Sequence, residues 1–523
     1  MPTGIAPKNE SSDVVEHNEE LKQEKGEYGL GQSDSPDKDL INQDAYNGEN
    51  YEHSLTTWVA AKAYPWACFW AFVMCFTIVM ESFDMFLNGN FVALPIFQET
   101  YGVQTADGKW SIQAKWQSAL FQAGQCGAFV GVFLAGPVTT RLGYRWTTIL
   151  ALILMNATIF ICFFANSLSI LSRRAIVPLA LRGATTAIIQ MSWSIGSIIV
   201  AAVTYSYNKR NDQWAWRVPL ALQWIFPSPL LILIFLSPES PWWLIRNNQR
   251  EEALKSVKRL GNGDAEQAEK SLAMIERTVQ IERQMGGEPT LLDLFKGTDL
   301  RRTIITCLIY ASQNLAGNLI ANQATYFFQQ AGMSTDRAFQ LNLINSCLQI
   351  VANGFSLPLS SWFGRRTIYL WGTAANVCLL LLLGVVASVP DQNQATNYAQ
   401  VVLAILISFV FAGCMGPISY AIISETSSVR LRALSTAVGR AAYYVVEIPA
   451  IALASQMLNA TGWNMAGKCG YVWGGTALFC WVLAYFELPE LKHRSYRESD
   501  ILFNRKVPAR EFKTTVIDVT ENE

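Results

Sequence analysis

Two carboxylates lie inside an apolar stretch near residue 80. Glu81 and Asp84 are three residues apart, so they share one face of a helix, and the residues around them are uncharged. Inserting one charge into hydrocarbon costs roughly 2.5 to 3.5 kcal/mol, and a carboxylate there can exchange a proton as its surroundings change between wet and dry. The pair therefore predicts a proton-coupling site. The alternatives are a structural ion pair or a position at the end of the helix.

The composition is that of a membrane protein. Of 523 residues, 51% are hydrophobic and 15% are charged, against roughly 25% charged residues in soluble domains. The net charge is −1, and no basic surface for nucleic acid is expected. The sequence has no phosphate-binding loop, serine elbow or helical zinc motif, so an enzyme is not expected and transport would be driven by gradients.

Cysteine and histidine give no sign of a metal or cofactor. The ten cysteines lie mostly in apolar runs, without a Cys-x-x-Cys pair, and are interpreted as small packing residues. The three histidines, His17, His53 and His493, lie in the tails. No imidazole relay, membrane metal site or cofactor is therefore predicted.

Apolar stretches of about 20 residues recur along the chain, the length that a helix needs to cross about 30 Å of hydrocarbon. Eleven are present, so the predicted fold class is an all-α polytopic membrane protein. The stretches are 66–88, 117–137, 145–165, 185–206, 218–237, 303–323, 341–361, 367–388, 399–423, 434–455 and 471–487.

A charged segment divides these stretches into two groups. Residues 1–65 are predicted to be a disordered acidic cytoplasmic tail and 66–237 an N-terminal helix bundle. Residues 238–302 are predicted to be a cytoplasmic linker of short amphipathic helices. Residues 303–488 form the predicted C-terminal six-helix bundle, followed by a cytoplasmic tail at 489–523.

The loop charges indicate that one helix is missing. If the first tail is cytoplasmic, the first hairpin returns Arg141 and Arg145 to the cytoplasm, as the positive-inside rule requires. After the third helix, however, Arg182 and every later basic loop would lie outside. One additional crossing between about Leu171 and Arg182 corrects all of them together.

An internal repeat gives the same result independently. Each half contains a glycine–arginine turn (Gly143, Gly364), a Leu-Arg step (Arg182, Arg432) and a Pro-Glu step (Pro238, Pro489). The second interval is 56 residues in one half and 57 in the other, whereas the first is 39 against 68, a difference of 29. The difference equals one helix with its loop.

These turns are part of a wider resemblance. Together with Pro238-Glu239-Ser240-Pro241, Gln313-Asn314-Leu315-Ala316-Gly317 and Gly416-Pro417-x-x-Tyr420, they resemble the sugar porter branch of the major facilitator superfamily over about 66–503. Glu81-Ser82-Phe83-Asp84 and Ala93-Leu94-Pro95-x-Phe97 resemble the fungal maltose and α-glucoside permeases. The resemblance implies the major facilitator fold, two pseudo-repeated six-helix bundles, here with the fourth helix missing.

The implied function is secondary active transport of a sugar, such as the α-glucoside maltose, by proton symport and alternating access. The implied partners are the sugar, protons and the bilayer, for a monomer in the plasma membrane with both termini cytoplasmic. The alternatives are a sugar sensor that does not transport and an inactive product of a truncated gene model. Asn459-Ala460-Thr461 is a sequon in a loop that would be external.

The resemblance also implies substrate contacts. Amides suit a sugar because they both donate and accept hydrogen bonds. The alternative for each is hydrogen bonding between helices. The implied sugar contacts are Gln190, which follows Arg182 by eight residues, the amides Gln313, Asn314 and Asn318, and the aromatic ring of Tyr420.

Arg440 lies where α-glucoside permeases carry an intramembrane arginine and is therefore assigned to proton coupling with Glu81 and Asp84. A static interhelical pair of Arg440 with Glu447, two turns away, is the alternative. The related permeases tend to carry Glu after the glycine of the second helix, whereas this chain has Gln125, which cannot titrate. This departure puts the full proton relay in doubt.

Basic and acidic residues near the helix ends are assigned to gating, since such pairs hold one conformation closed. Two departures weaken the pattern in the first half. Thr139 or Thr140 replaces the Asp before the first turn, and Ala175 replaces the Glu expected before Arg182. The gating residues are Arg141, Arg145, Arg182, Arg365, Arg366, Glu425, Arg430 and Arg432.

Overall fold

The computed structural model describes residues 65–164, 186–261, 265–284, 290–428 and 431–515, apart from 105–107, 109, 391, 493 and 495. Nearly all of the described chain is helical, as the hydropathy pattern predicts. One small antiparallel pair of strands, Val103–Gln104 and Trp110–Ser111, joins the first two long helices. The predicted disordered tail and the region of the missing helix, Leu171 to Ala175, lie outside the described residues.

Long helices coincide with all eleven predicted stretches. Within the described ranges, nine helical spans are long and apolar enough to cross a membrane, and α4 and α7 complete the set. The helices are α1 Pro65–Ala93, α2 Ala114–Leu142, α3 Tyr144–Phe163, α4 Thr186–Tyr207, α5 Trp214–Leu236, α6 Gly297–Asn322, α7 Thr335–Trp362, α8 Arg365–Ala387, α9 Gln394–Thr426, α10 Arg432–Leu458 and α11 Cys469–Glu487.

The two halves differ in the spacing between equivalent helices. Between Phe163 of α3 and Thr186, the first described residue of α4, the chain has 22 residues, whereas 44 residues, 388–431, separate α8 from α10 and contain α9. In the second half, α9 packs against both α7 and α8. At the place where the second half has a membrane helix, the first half therefore has a segment only half as long.

Shorter helices complete the described chain. Helix α6 begins at Gly297, before the predicted boundary at 303, and the preceding linker helices pack around Leu244, Val257 and Leu272. In the C-terminal tail, Asp500 forms an ion pair with Arg302 of α6 at 2.5 Å. The short helices are Pro95–Tyr101, Pro241–Arg246, Arg250–Leu260, Ala265–Gln284, Leu291–Phe295, Ala324–Gln330, Ala466–Lys468 and Tyr496–Asn504.

The halves meet along two helix pairs, α2 with α10 and α4 with α7. In the second pair, the Asn353 amide donates to the Ser194 hydroxyl at 2.7 Å, and Ser197 and Ser346 hydrogen-bond at 2.9 Å. Small polar residues let membrane helices approach closely and hydrogen-bond. The contact between the bundles is thus polar but uncharged at these positions.

At the end of the bundle opposite the glycine–arginine turns, side-chain amides join the halves. The Gln117 amide of α2 donates to Gln323 at 2.9 Å, and Asn459 after α10 donates to Gln117. The Asn90 carbonyl oxygen of α1 accepts from Thr325 at 2.6 Å and from Asn342 at 3.2 Å. We call Asn90, Gln117, Gln323, Thr325, Asn342 and Asn459 the amide closure.

The amide closure changes the interpretation of the sequon. Asn459 is fully buried, and its amide also donates to the backbone carbonyl of Ile112 at 2.8 Å. Its carbonyl oxygen accepts from the Thr461 backbone and hydroxyl. In this conformation the Asn459 side chain is buried and hydrogen-bonded, so it is not accessible for glycosylation, while the external position of its loop stays a prediction.

The repeated glycine and Pro-Glu motifs meet in space. The Glu239 carboxylate accepts the Tyr144 and Arg145 backbone N–H groups that begin α3, at 3.0 and 3.2 Å. A β-carbon on Gly143, where φ is +84°, would lie 2.6 Å from that carboxylate. Glycine is therefore needed both for the backbone conformation and for the approach of the acid.

The second half repeats this cap. The Glu490 carboxylate accepts the Arg365 and Arg366 backbone N–H groups at 2.9 and 3.2 Å, at the start of α8. The Arg366 guanidinium donates to the Tyr485 carbonyl, as that of Arg145 does to a carbonyl near the end of α5. Each acid satisfies helix N–H groups that have no partner within the helix and lies at the positive end of the helix dipole.

We expect Glu490→Gln to lower the free energy of unfolding by about 1 kcal/mol, because the cap loses its charge and one acceptor oxygen. Thermal unfolding of the purified protein in detergent measures the change. Glu487→Gln, which alters a carboxylate 3.8 Å from Arg301 with half its surface exposed, is the matched control. Equal midpoints for both variants would contradict the capping role.

Candidate functional site

The α1 carboxylates lie where α1 packs closely on α4. A β-carbon on Gly196 of α4 would lie 2.6 Å from the Val79 carbonyl, and the Ser82 hydroxyl donates to the Trp193 carbonyl at 2.5 Å. Glu81 and Asp84 are both half-buried at this level. The absence of a side chain at Gly196 therefore permits the close approach of α4 to α1 next to the carboxylates.

Asp84 has a partner that the sequence did not indicate. The Gln223 amide of α5 donates to the Asp84 carboxylate at 2.7 Å, and Gln223 is almost completely buried. A 3₁₀ turn at Leu222–Ile225 presents Gln223, because Pro219 and Pro227 interrupt regular helix on either side. The sequence feature that could have indicated this contact is Gln223 itself, an amide between two prolines in an apolar run.

Gln125 faces the same region from α2. Its amide lies 3.8 Å from the Met85 sulfur, next in sequence to Asp84. Because the amide stays neutral at every pH, it can orient groups beside Asp84 but cannot exchange protons with them. The structure thus places Gln125 against α1, in contact with the residue that follows Asp84.

Helix α6 is broken at the predicted amides. Gly317 has φ +87°, and a β-carbon there would lie 2.8 Å from Leu380. Neighbouring helices satisfy carbonyls at the break: Asn376 donates to Ala316 at 3.2 Å and Thr476 donates to Leu315 at 2.8 Å. Irregular backbone at membrane depth is stable only with such partners, so the break is a built feature of the site.

The amides around this break differ in their partners. Gln313 is 6% exposed, and its Nε2 has no hydrogen-bond partner among the described residues. The Asn314 amide donates to the Tyr443 carbonyl of α10 at 3.4 Å, which ties it to the protein. Asn318 is half-buried. Gln313 therefore has a donor available for a bound molecule, whereas Asn314 already links two helices.

Gln190 and Tyr420 approach the same region from α4 and α9. A β-carbon on Gly416 of α9 would lie 3.1 Å from the Gln190 side-chain amide, across the boundary between the halves. Tyr420, one turn further along α9, lies 6.4 Å from the Tyr310 ring of α6, measured between ring centres. The structure thus brings Gln190 and Tyr420 to one turn of α9, and Tyr420 close to α6.

Arg440 is enclosed by aromatic rings. Its guanidinium carbon lies 4.2 Å from the Tyr443 ring centre, 5.1 Å from Tyr444 and 5.9 Å from Tyr310. Its Nε donates to the Tyr444 hydroxyl at 3.3 Å. Aromatic faces stabilise a buried cation through their quadrupoles. The residues predicted for proton coupling therefore occupy two environments: Asp84 beside an α5 amide and Arg440 in a tyrosine cage.

The described residues that were assigned to gating lie at the glycine–arginine end. Arg365 of α8 forms an ion pair with Glu425 of α9 at 3.1 Å. At the matching position of the first half, Tyr144 follows Gly143, so an arginine is absent there as well as the acid that Ala175 replaces. Arg141 is exposed and Arg432 is half-buried, while Arg182 and Arg430 lie outside the described residues.

Known proteins resemble this chain along most of its length. The family model described as "Sugar (and other) transporter" matches residues 70–177 and 172–503. A general α-glucoside permease of Saccharomyces cerevisiae is 33% identical, with 94% of this chain and 84% of the relative covered. A maltose permease of Saccharomyces cerevisiae is 32% identical, with 91% and 82% covered.

Solved structures show the same fold. The inward-open xylose transporter of E. coli aligns with a TM-score of 0.64 at 16% identity, covering 83% of this chain and 99% of that one. A structure of a proton:xylose symporter of the major facilitator superfamily gives 0.63 at 18% identity, covering 83% and 99%. The two segments matched by the family model meet at residues 172–177, next to the predicted position of the missing helix. The chain is a multi-pass membrane protein that belongs to the sugar transporter family of the major facilitator superfamily.

Proposed function

We propose that this protein carries a sugar across the membrane by proton symport and alternating access, and that the sugar is an α-glucoside such as maltose. The observation that carries the proposal is the broken helix α6, where a buried Gln313 amide has an unused donor. The similarity to α-glucoside and maltose permeases supports the choice of substrate. The plasma membrane, with both termini in the cytoplasm, is the location that we propose.

The proposed sugar site combines neutral groups. Gln190 and Gln313 donate and accept hydrogen bonds, and Tyr420 offers an aromatic face to the apolar side of a sugar ring. A sugar carries no charge and many hydroxyl groups, so amides match it without leaving a buried charge unpaired. Asn314 and Asn318 belong to the same broken helix and shape the site through their positions on it.

Proton coupling is proposed to begin at Glu81 and Asp84. The Gln223 amide donates a hydrogen bond to the Asp84 carboxylate, so this acid is in polar contact with α5. The carboxylate lies on α1, which also carries Asn90 of the amide closure. A proton bound near Asp84 is thus on the helix that joins the two halves at the closed end.

Alternating access requires the amide closure to separate while contacts at the glycine–arginine end form. The amide closure consists of neutral groups whose hydrogen bonds water can replace, at a net cost of roughly 1 kcal/mol each. We propose that Arg141, Arg145, Arg182, Arg365, Arg366, Glu425, Arg430 and Arg432 regulate the opposite end. The Arg365–Glu425 pair supports this assignment in the second half.

We propose that the chain lacks the fourth of twelve membrane helices. The shorter interval between α3 and α4, the basic loops and the junction of the two family matches support this proposal. A chain without this helix would have partly inverted loop charges and one uncovered side of its first bundle. Insertion of about 29 residues between Leu171 and Ala175 is the corresponding repair.

Uptake by cells that have no α-glucoside carrier tests the function. The chain and a repaired form with the additional helix are compared for labelled maltose uptake and for alkalinisation of the medium when sugar is added. We expect the repaired form to take up maltose together with protons. Membrane-localised protein without uptake of any sugar in a panel would contradict transport, and sugar-dependent signalling in its place would favour the sensor.

We expect Gln313→Ala to raise the KM for sugar roughly tenfold, because a hydrogen bond to the substrate is worth about 1 to 1.5 kcal/mol. Uptake rates over a range of sugar concentrations in the repaired form measure this effect. Gln394→Ala, at the exposed start of α9, is the matched control and should leave KM unchanged. An unchanged KM in Gln313→Ala would remove Gln313 from the sugar site.

A further inference from the structure

Glu447 is a carboxylate buried in the middle of α10. Its exposed fraction is 0%, and its Oε1 accepts a hydrogen bond from the Tyr443 hydroxyl at 3.2 Å. An ionisable residue inside a membrane helix is costly and usually has a function. None of the roles assigned above uses this carboxylate.

Tyr443 connects Glu447 to the buried cation. The Tyr443 hydroxyl donates to Glu447, while its ring faces the Arg440 guanidinium at 4.2 Å. Arg440, Tyr443 and Glu447 follow one another at intervals of three and four residues, so they share one face of α10. A change of charge on Glu447 therefore changes the electrostatic potential at the Tyr443 hydroxyl and, through this residue, at Arg440.

Among the described residues, the groups that face this cluster from other helices include two tyrosines and one amide. Helix α6 contributes Tyr310, α9 contributes Tyr420, and α10 itself adds Tyr444. Helix α2 contributes the Gln122 amide, which donates at 3.2 Å to the carbonyl of Ile448. Arg440 supplies the positive charge of the cluster, and Glu447 supplies the carboxylate.

The Gln122 contact places the backbone next to Glu447 at the boundary between the halves. Gln122 belongs to the first half, and the carbonyl that it contacts belongs to the residue after Glu447. The next residue is Pro449, which has no N–H to donate within α10. We expect this seam between α2 and α10 to admit water to Glu447 in one state when the halves rock, and to exclude water in the other.

Gln125 lies one turn from Gln122 on α2, at the position where the resembling permeases tend to carry Glu. Glu447 lies on α10, which packs against α2, and its carboxylate can bind a proton whereas the Gln125 amide cannot.

We propose that Glu447 is a proton-binding residue of the transport cycle and takes over on α10 the role that Gln125 cannot perform on α2. Its carboxylate takes a proton from water when the seam is hydrated and becomes a neutral acid. The same proton returns to water when the seam opens to the other side. This proposal rests on the proton symport described above and names a second carrier of the proton.

Infrared difference spectroscopy of the purified full-length chain between acidic and alkaline buffers tests the proton site without requiring transport. We expect a C=O stretching band of a protonated carboxylic acid that titrates in the unmodified protein and is lost in Glu447→Gln. Glu99→Gln, in an exposed position, is the matched control and should keep the band. A band of equal size in Glu447→Gln would overturn the proposal.

Two further measurements cover misfolding and separate the two proposals. If Glu447→Gln unfolds, Glu447→Asp keeps an acid at the same position, and we expect a shifted but titrating band; an unshifted band would overturn the assignment. In the repaired form, Glu447→Gln should lose sugar-dependent proton uptake while retaining exchange of labelled for unlabelled sugar. Sugar uptake without protons in unmodified repaired protein would contradict symport, whereas unchanged proton uptake in Glu447→Gln would contradict only the role of Glu447.

Discussion

The bilayer core offers no water to a backbone group that leaves its helix, and the site is built around this constraint. Opening α6 at Gly317 frees backbone carbonyls, and Asn376 and Thr476 from two other helices satisfy them. Helix α9 is irregular as well, with a π-helical turn at Phe411–Met415 before Gly416-Pro417. Because neighbours stabilise these breaks, polar side chains can be presented at membrane depth without unsatisfied backbone groups.

Charge and neutrality are divided between regions of the molecule. The amide closure contains no titrating side chain, so a change in acidity does not act on it directly. The acids to which we assign proton binding, Glu81, Asp84 and Glu447, lie deeper, and ion pairs such as Arg365–Glu425 lie at the opposite end. A proton signal would then have to act through the helices that carry both kinds of residue, above all α1 and α10.

Much of the fold follows from local sequence, and the site does so only in part. Apolar length predicted all eleven long helices, and repeat spacing predicted that the Gly-Arg and Pro-Glu motifs belong to equivalent turns. The repeat spacing did not show that Glu239 and Glu490 cap the helices that follow those glycines. Each acid lies far along the chain from the helix start that it caps, by 95 residues in the first half and 125 in the second. Gln223 beside Asp84 and Tyr310 beside Arg440 depend in the same way on which helix faces fold together.

The burial of Asn459 has a consequence for how the chain matures. In a newly made chain the Asn459-Ala460-Thr461 loop is open until α2, α6 and α10 have assembled, and an oligosaccharide added in this interval would remain attached. The bulk of the attached oligosaccharide would then prevent the Asn459 side chain from hydrogen-bonding to Ile112 and Gln117. Glycosylation would thus occur only when the bundle assembles more slowly than the glycan is attached. A glycosylated molecule would therefore be one whose bundle had assembled too slowly.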